Sequence, residues 1–340
     1  MPIRIAINGF GRIGRAAFKI ALTRKDVEVV AINDLMDNKT LAHLLKYDTV
    51  YGIQPGNIQG TKDGIKIAGK LYPVFAQKDP SQLPWSEYKV DVVLECTGIF
   101  KTVKGASAHL QAGARRVVIS APAKDETQTL VLGTKDSNAK VKTGKHDKII
   151  SMASCTTNCI SPVMQILESK FGIEKAMMTT VHAYTSTQNL VDGPSKDLRR
   201  ARAAAQNIIP TSTGAAIATT KVVKSLDKLF DGISLRVPVV TGSVSDITAV
   251  LKRKQVTVEQ INAEFKKAAK DSAYKNVLAV SDKPLVSSDF VGNPYSSIVD
   301  LEFTRVVGGN MVKILAWYDN EWGYSSRLID IAGQIGKLIK

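Results

Sequence analysis

At 340 residues the chain has room for two domains or one large one, and its 44% hydrophobic and 23% charged residues are those of an ordinary globular protein. No apolar run reaches the length of about 18 residues that a membrane span needs, so no membrane partner is expected. The formal charge of +15, from 46 basic and 31 acidic residues, would draw in phosphorylated small molecules and dinucleotides as well as nucleic acid; because the basic residues are dispersed, nucleic acid is not expected as a primary partner.

In chain order, IRIAING (3–9) reads as a short strand, GRAAFKIALTR (14–24) as a helix, VEVVAIND (27–34) as a second strand and NKTLAHLLKY (38–47) as a second helix. Residues 52–84, rich in glycine, lysine and isolated hydrophobics, read as short antiparallel strands inserted into the same sheet. VDVVLECTG (90–98) and RRVVISAPA (115–123) are further strands, and TLVLG (129–133) is a candidate for another. Strands at this spacing with helices between them predict an α/β fold with a doubly wound parallel sheet.

Beyond Cys155 the pattern changes. SPVMQILESKFG (161–172) is an amphipathic helix with an early proline and a closing glycine. AMMTTVHAYT (176–185), SLRVPVV (234–240), SVSDITAVLKRK (243–254), SIVDLEFT (297–304) and MVKILAWYD (311–319) are strands without a regular helix between each pair. They predict a second, α+β domain with a mostly antiparallel sheet. TVEQINAEFKKAAKDS (257–272) supplies a helix capped by Thr257, with Gln260 three residues on. SSRLIDIAGQIGKLI (325–339) is a final helix expected to return to the first domain.

GFGRIG (9–14) follows the first strand directly and opens the first helix. Gly9 permits the tight turn, Gly11 lets the backbone approach a pyrophosphate, and Gly14 allows close packing of the helix, whose N-terminus then receives the phosphates. Asp34 lies 20 residues beyond Gly14 at the end of the second strand. An acid there accepts hydrogen bonds from the adenosine ribose and repels a 2'-phosphate, which predicts NAD in preference to NADP.

Cys155 and Cys159 stand four apart in SMASCTTNCISP (151–162), and Cys96 is the only other cysteine. The odd, low count argues against a disulfide framework and for a reducing, cytoplasmic setting. The opening residues, interrupted by Arg4 and rich in glycine, do not read as a secretory leader. CxxxC without a second pair is poor for zinc, and a thioredoxin-type redox pair wants CxxC, so no metal is expected. A nucleophile remains, which needs a thiolate favoured by a helix N-terminus and a protonated imidazole. Cys155 lies just before a helix expected to begin near Thr156 or Thr157. His43 sits in an apolar helix, His109 in SAHLQAG and His146 in a charged loop. His182, at a strand end followed by threonines suited to an anion, is the chosen partner; from position alone a structural histidine stands as the alternative.

INGFGRIGR, HLLKYD, ASCTTNC, HAYTSTQ, RRARAAAQNIIPTSTGAA and YDNEWGYSSR together resemble phosphorylating glyceraldehyde-3-phosphate dehydrogenases, over essentially the full chain. The resemblance implies a Rossmann-type NAD-binding domain over residues 1–154 plus 321–340, a catalytic domain over 155–320, and a homotetramer in which an S-shaped loop at about 184–205 reaches a neighbouring subunit. It implies Cys155 as nucleophile, His182 as base and activator, and Cys159 as a structural thiol. The substrates would be glyceraldehyde 3-phosphate, inorganic phosphate and NAD. The substrate phosphate would meet Thr185, Thr187 and Arg236, and inorganic phosphate would meet Ser154, Thr156, Thr213, Gly214 and Arg236. Asn320 would hold the nicotinamide amide, with Tyr324 packed nearby. Thr97 and Ser120, at the ends of sheet strands, and Arg12 and Ile13, in the first helical turn, would add nucleotide contacts. Leu35 and Pro194 match the NAD-preferring pattern. Gly193 stands where many such members carry leucine, which leaves NADP as a weaker alternative.

Overall fold

A short run of β-branched residues, buried at every position but Arg4, makes the first strand, and glycines then turn the chain sharply into a helix. The computed structural model describes residues 1–339. It divides into two units: Met1–Leu130, Ala139–Ala153 and the chain from Ser325 form the first, and Val131–Asn138 with Ser154–Tyr324 form the second.

The first unit begins β1 (Ile3–Asn8), α1 (Arg12–Leu22), β2 (Val27–Asn33), α2 (Asn38–Lys46) and a small hairpin of β3 (Tyr47–Asp48) and β4 (Gly52–Ile53). It continues with β5 (Ile58–Thr61), β6 (Gly64–Ile67), β7 (Lys70–Phe75), β8 (Val92–Glu95), α3 (Val103–Gln111) and β9 (Arg116–Ile119). It ends with α4 (Lys135–Thr143), whose first turn belongs to the second unit, and β10 (Ile149–Ser151). The eight strands order as β10-β9-β8-β1-β2-β7-β6-β5. The stretch from β10 to β2 is parallel, Val74 and Phe75 of β7 continue it against Ile32 and Asn33, and β7, β6 and β5 are antiparallel. The inserted 52–84 segment therefore extends the edge of the parallel sheet. A core of Ala6, Trp85, Val93, Val117 and Ile119 lies on one face.

One expectation is corrected here. TLVLG is not a strand: Thr129 makes an isolated bridge to Ser151, and the chain turns into α4. Leu130 and Val131 are fully buried, so the apolar run reports burial without sheet pairing. Helix α4 and strand β10 follow in a stretch where no element was expected. The α4 sequence, KDSNAKVKT, is polar nearly all round and offers little helical periodicity to read.

The second unit holds α5 (Cys155–Phe171), β11 (Ile173–Ala183), β12 (Ile209–Ser212), α6 (Ala215–Val222), β13 (Phe230–Val237), β14 (Ser243–Leu251), α7 (Val258–Ala268), β15 (Leu278–Ser281), β16 (Ser297–Val307) and β17 (Met311–Tyr318). Its sheet runs β12-β13-β11-β14-β17-β16-β15, antiparallel except at β11–β13 and β15–β16. Helix α6 was not anticipated. Its AAIATTKV sequence buries Ala215, Ala216, Ala218, Thr219 and Val222 and lacks the polar stripe that marks a surface helix. Helix α5 starts at Cys155 and runs through Pro162, one or two residues before the start expected near Thr156 or Thr157. Residues 184–208 carry no helix or strand. The loop is braced internally by Gly193 donating to the Ala201 carbonyl and Ala204 to the Asn189 carbonyl, both at 2.9 Å.

The chain closes with α8 (Trp322–Lys337), and from Ser325 it belongs to the first unit. A Cβ on Gly336 would stand 2.4 Å from the Ile3 side chain, so this glycine lets the helix lie close on β1.

Candidate active site

The glycines between β1 and α1 have separate roles. Gly9 has φ +92°, and a Cβ there would meet the Thr97 backbone nitrogen at 2.7 Å, so only glycine fits. A Cβ on Gly14 would stand 2.1 Å from the Gly9 carbonyl oxygen. Around Gly11 no protein atom lies within 4 Å of a would-be Cβ. The space kept clear there borders the first-turn amides of Arg12 and Ile13, which suits a pyrophosphate. A cleft of about 530 Å³ adjoins it, lined in part by Gly9, Gly11, Asp34, Leu35, Thr97 and Phe100.

Asp34 is fixed at this cleft. Its Oδ2 accepts the Phe10 amide at 2.7 Å and its Oδ1 the Met36 amide at 3.0 Å, and each oxygen keeps acceptor capacity for a ribose hydroxyl. The Arg12 guanidinium is committed to Asp48 at 2.9 Å and lies over the Tyr51 ring, which leaves its backbone for the ligand. Ser120 stands just past β9, with its amide on the Glu95 carbonyl and its hydroxyl on the Cys96 thiol. Burial pushes that thiol up to about 12, which disfavours the thiolate. These features fit NAD. Ile99 and Phe100 also line the cleft and were not anticipated; their place beyond the carboxyl end of a parallel strand was the available signal.

In the second unit, Ser154 caps α5 with its Oγ accepting the Thr157 amide at 3.1 Å. Ala153, immediately before it, has a left-handed φ of +53°, a strain of about 1 kcal/mol or more for a residue with a Cβ. The turn makes Cys155 the first helical residue, where the helix dipole favours a thiolate. Its Sγ lies 3.3 Å from His182 Nε2.

The other side of His182 is equally defined. His182 on β11 and Arg236 on β13 are register partners. Arg236 Nη1 stands 2.6 Å from His182 Nδ1 and donates to the Ala183 carbonyl at 2.9 Å, while Nδ1 is also 2.7 Å from that carbonyl. Burial, then the Arg236 charge, drives His182 down to about 3. Burial pushes the Cys155 thiol up, opposed first by Arg236 and then by hydrogen bonding to Thr156. Both shifts favour uncharged partners while the guanidinium stands against the imidazole. An anion that draws Arg236 away removes one penalty on the imidazolium. Arg236 Nε is buried with no hydrogen-bond partner among the described residues.

The expected anion-binding residues fall into three groups. Ser154 and Thr156 belong to the Cys155 turn. Thr185 and Thr187 pair their hydroxyls at 2.9 Å just past β11. Thr213 accepts the Ala215 amide at 3.2 Å, and Gly214 caps α6 without a side chain over the helix N-terminus. Asn320 is oriented by three donors on its Oδ1: Ser243 Oγ at 3.0 Å, the Gly242 amide at 3.1 Å and Thr241 Oγ1 at 3.4 Å. Its Nδ2 donors therefore face the opposite way. Tyr324 is buried in the first turn of α8.

Sequence reading missed Tyr318. Its buried hydroxyl joins Thr156 at 2.9 Å to Thr180 at 2.8 Å, and its ring meets His182 edge-on. No local signal marks it, because the contacts span three elements. Cys159 is fully buried, its Sγ 3.6 Å from the Ala316 carbonyl oxygen. Among the described residues no group of three or more His, Cys, Asp or Glu could hold a metal ion.

A glycine-shaped dinucleotide cleft on a parallel sheet, and a cysteine–imidazole pair at a helix N-terminus beside anion-suited hydroxyls, define an NAD-dependent dehydrogenase that works through a thiol. The sequence matches the description "Glyceraldehyde 3-phosphate dehydrogenase, NAD binding domain" over residues 3–103 and the corresponding C-terminal domain over residues 154–320. It is 51% identical over 337 residues to glyceraldehyde-3-phosphate dehydrogenase 2 of Streptomyces avermitilis, covering 99% of both chains. It is 50% identical over 344 residues to the glyceraldehyde-3-phosphate dehydrogenase of Mycobacterium avium, again covering 99% of both. The chain belongs to the glyceraldehyde-3-phosphate dehydrogenase family. Its reaction converts D-glyceraldehyde 3-phosphate, NAD and inorganic phosphate to 1,3-bisphosphoglycerate and NADH through a cysteine thiohemiacetal and thioester.

Proposed function

We propose that Cys155 carries this chemistry, with His182 as its base; the observation that carries the reading is the 3.3 Å Sγ–Nε2 contact at the start of α5. The Cys155 sulfur attacks the aldehyde carbon while its thiol proton passes by way of His182 Nε2 to the carbonyl oxygen, which becomes the thiohemiacetal hydroxyl. His182 Nε2 takes that hydroxyl proton as the carbon gives up hydride. NAD, when bound, supplies the hydride acceptor. Gly9, Gly11, Arg12, Ile13, Gly14, Asp34, Thr97 and Ser120 would hold it, and Asn320 and Tyr324 would orient the nicotinamide. The thioester carbonyl is then attacked by inorganic phosphate, the C–S bond breaks, and the acyl phosphate leaves with Cys155 restored.

Thr185, Thr187 and Arg236 would hold the substrate phosphate, and Ser154, Thr156, Thr213, Gly214 and Arg236 the attacking phosphate. Hydroxyls, a side-chain-free helix N-terminus and a guanidinium with a spare donor suit oxyanions. The test is a rapid-mixing measurement of NADH formation in the wild type and in Cys155→Ser and His182→Asn. The reading requires loss of the burst in the first and slowing of about 10²-fold or more in the second; a normal burst in either would refute that residue's role.

We further infer a homotetramer that uses the 184–205 loop. Leu190, Val191 and Leu198 in this loop are 70%, 76% and 81% exposed, and Met177 and Ile217 in the same unit are each 61% exposed; such apolar surface favours coverage by another copy. Three free cysteines support a cytoplasmic setting. Among the described residues no helix is long and apolar enough to cross a membrane.

A further inference from the structure

Beneath the dinucleotide cleft, Glu95 at the end of β8 is 1% exposed. Each group that reaches its carboxylate is a donor. Asn8 Nδ2 lies 2.5 Å and His109 Nε2 3.1 Å from Oε2, and the Thr97 amide lies 2.8 Å from Oε1, which the Thr97 hydroxyl also meets.

The hydrogens can be assigned from the neighbours. The Trp85 indole nitrogen can only donate, and it lies 3.0 Å from His109 Nδ1. Nδ1 therefore accepts, and Nε2 carries the hydrogen that points at Glu95. The Thr97 hydroxyl accepts the Ile99 amide at 3.0 Å, which turns its own hydrogen to Oε1. Asn8 Oδ1 accepts from Asn33 Nδ2 at 2.7 Å, which turns the Asn8 amide hydrogens toward Oε2. Four donors converge on the two oxygens, which suits a group that accepts at both.

The same network holds three strips of the cleft wall. Asn8 precedes the Gly9 turn. Asn33 reaches Gln77, accepting its amide at 2.9 Å and donating to its carbonyl at 3.0 Å. Thr97 is the residue whose amide nitrogen would clash with any side chain at position 9. We propose that Glu95 is a positioning residue for the dinucleotide: its carboxylate ties the Thr97 turn to the Gly9 turn and holds the cleft in its binding shape. The proposal rests on the reading of Thr97 as a cofactor-site residue.

Glu95→Gln tests it because the shape is kept while one oxygen becomes a donor, which must then face donors at either Thr97 or Asn8 and His109. The expected result is a dissociation constant for NAD raised about tenfold, with KM for NAD raised in parallel, as for the loss of one charge-assisted hydrogen bond. At saturating NAD, kcat and KM for glyceraldehyde 3-phosphate stay within about twofold, a split that general loosening of the protein would not give. Thr97→Val, which removes only the hydroxyl link, is expected to weaken NAD about threefold to fivefold. If Thr97→Val weakens NAD and Glu95→Gln does not, Glu95 has no positioning role; if neither does, the reading of Thr97 is what fails. Should Glu95→Gln not fold, His109 decides, since it lies outside the cleft lining. His109→Leu removes one donor and is expected to weaken NAD at least about threefold, whereas His109→Gln keeps a donor and an acceptor and should bind as the wild type does. Equal NAD affinity in the two His109 variants would overturn the proposal.

Discussion

Arg236 Nη1 lies 2.6 Å from His182 Nδ1, and the two residues sit opposite each other in the β11–β13 register. A cation is thus held against the outer face of the imidazole whose inner nitrogen meets Cys155. The contact makes protonation of His182 costly, and it places the guanidinium where a phosphate can compete for it.

The first consequence is a pH dependence of stability. The unfolded chain protonates this imidazole below about 6.5, whereas burial and Arg236 keep the folded one neutral down to about 3. Between these values the unfolded state binds more protons, so stability falls as pH falls across that window. Denaturation followed from pH 7 to pH 3 should show a loss that is smaller by about 1–3 kcal/mol in His182→Asn. In Arg236→Leu the imidazole should titrate higher, because one of its two penalties is gone; an unchanged acid limb in both variants would contradict this.

The two cysteines of SMASCTTNCISP should separate cleanly. Cys155→Ser is expected to cut phosphate-dependent activity by about 10³-fold or more, since a hydroxyl at this position lacks thiolate nucleophilicity. Cys159→Ala should retain activity within a few-fold and lose about 1–2 kcal/mol of stability from the cavity at a fully buried site. Its thiol, pushed up to about 12 by burial, is not a nucleophile in this environment. Steady-state assays with thermal melts check both.

Gly11 and Gly14 should respond in opposite ways to alanine. At Gly11 the new methyl meets open space, so melting should change little while NAD affinity drops about tenfold or more, because the methyl occupies the phosphate approach. At Gly14 the methyl meets the Gly9 carbonyl oxygen at 2.1 Å, and folding itself should suffer by about 2 kcal/mol or more. Melting curves with and without NAD distinguish the two.

Replacing Asp34 tests the coenzyme argument. Asp34→Ala removes both the ribose acceptor and the charge that repels a 2'-phosphate. The ratio of kcat/KM for NADP to that for NAD should rise about tenfold or more; an unchanged ratio would mean that selectivity lies elsewhere.

Much of the nucleotide site was legible because its determinants are local. Gly9, Gly11 and Gly14 act through one turn, and Asp34 follows from the length of one β-α-β unit. The proposed catalytic pair was legible only in part. Cys155 could be placed beside a helix start, within one or two residues of where α5 begins, but selecting His182 among four histidines needed a pattern of its own. Tyr318, Ser243 and Glu95 were not legible, because each acts by a contact between elements distant in sequence. The buried run at Leu130–Leu132 misled for the opposite reason: burial alone carries no register. Helices α4 and α6 were missed because one is polar on nearly every face and the other apolar on nearly every face, so neither shows the 3.6-residue contrast on which helix reading depends.

The central claim is that Cys155 forms the acyl-enzyme and that phosphate releases it. The most direct measurement mixes the enzyme with glyceraldehyde 3-phosphate and NAD in the absence of phosphate, follows NADH, and maps the acyl adduct by peptide mass spectrometry. The account predicts a burst of about one NADH per active subunit, an adduct on Cys155, and fast turnover only when inorganic phosphate is added. An adduct on Cys159 or Cys96, or a steady rate indifferent to phosphate, would contradict it.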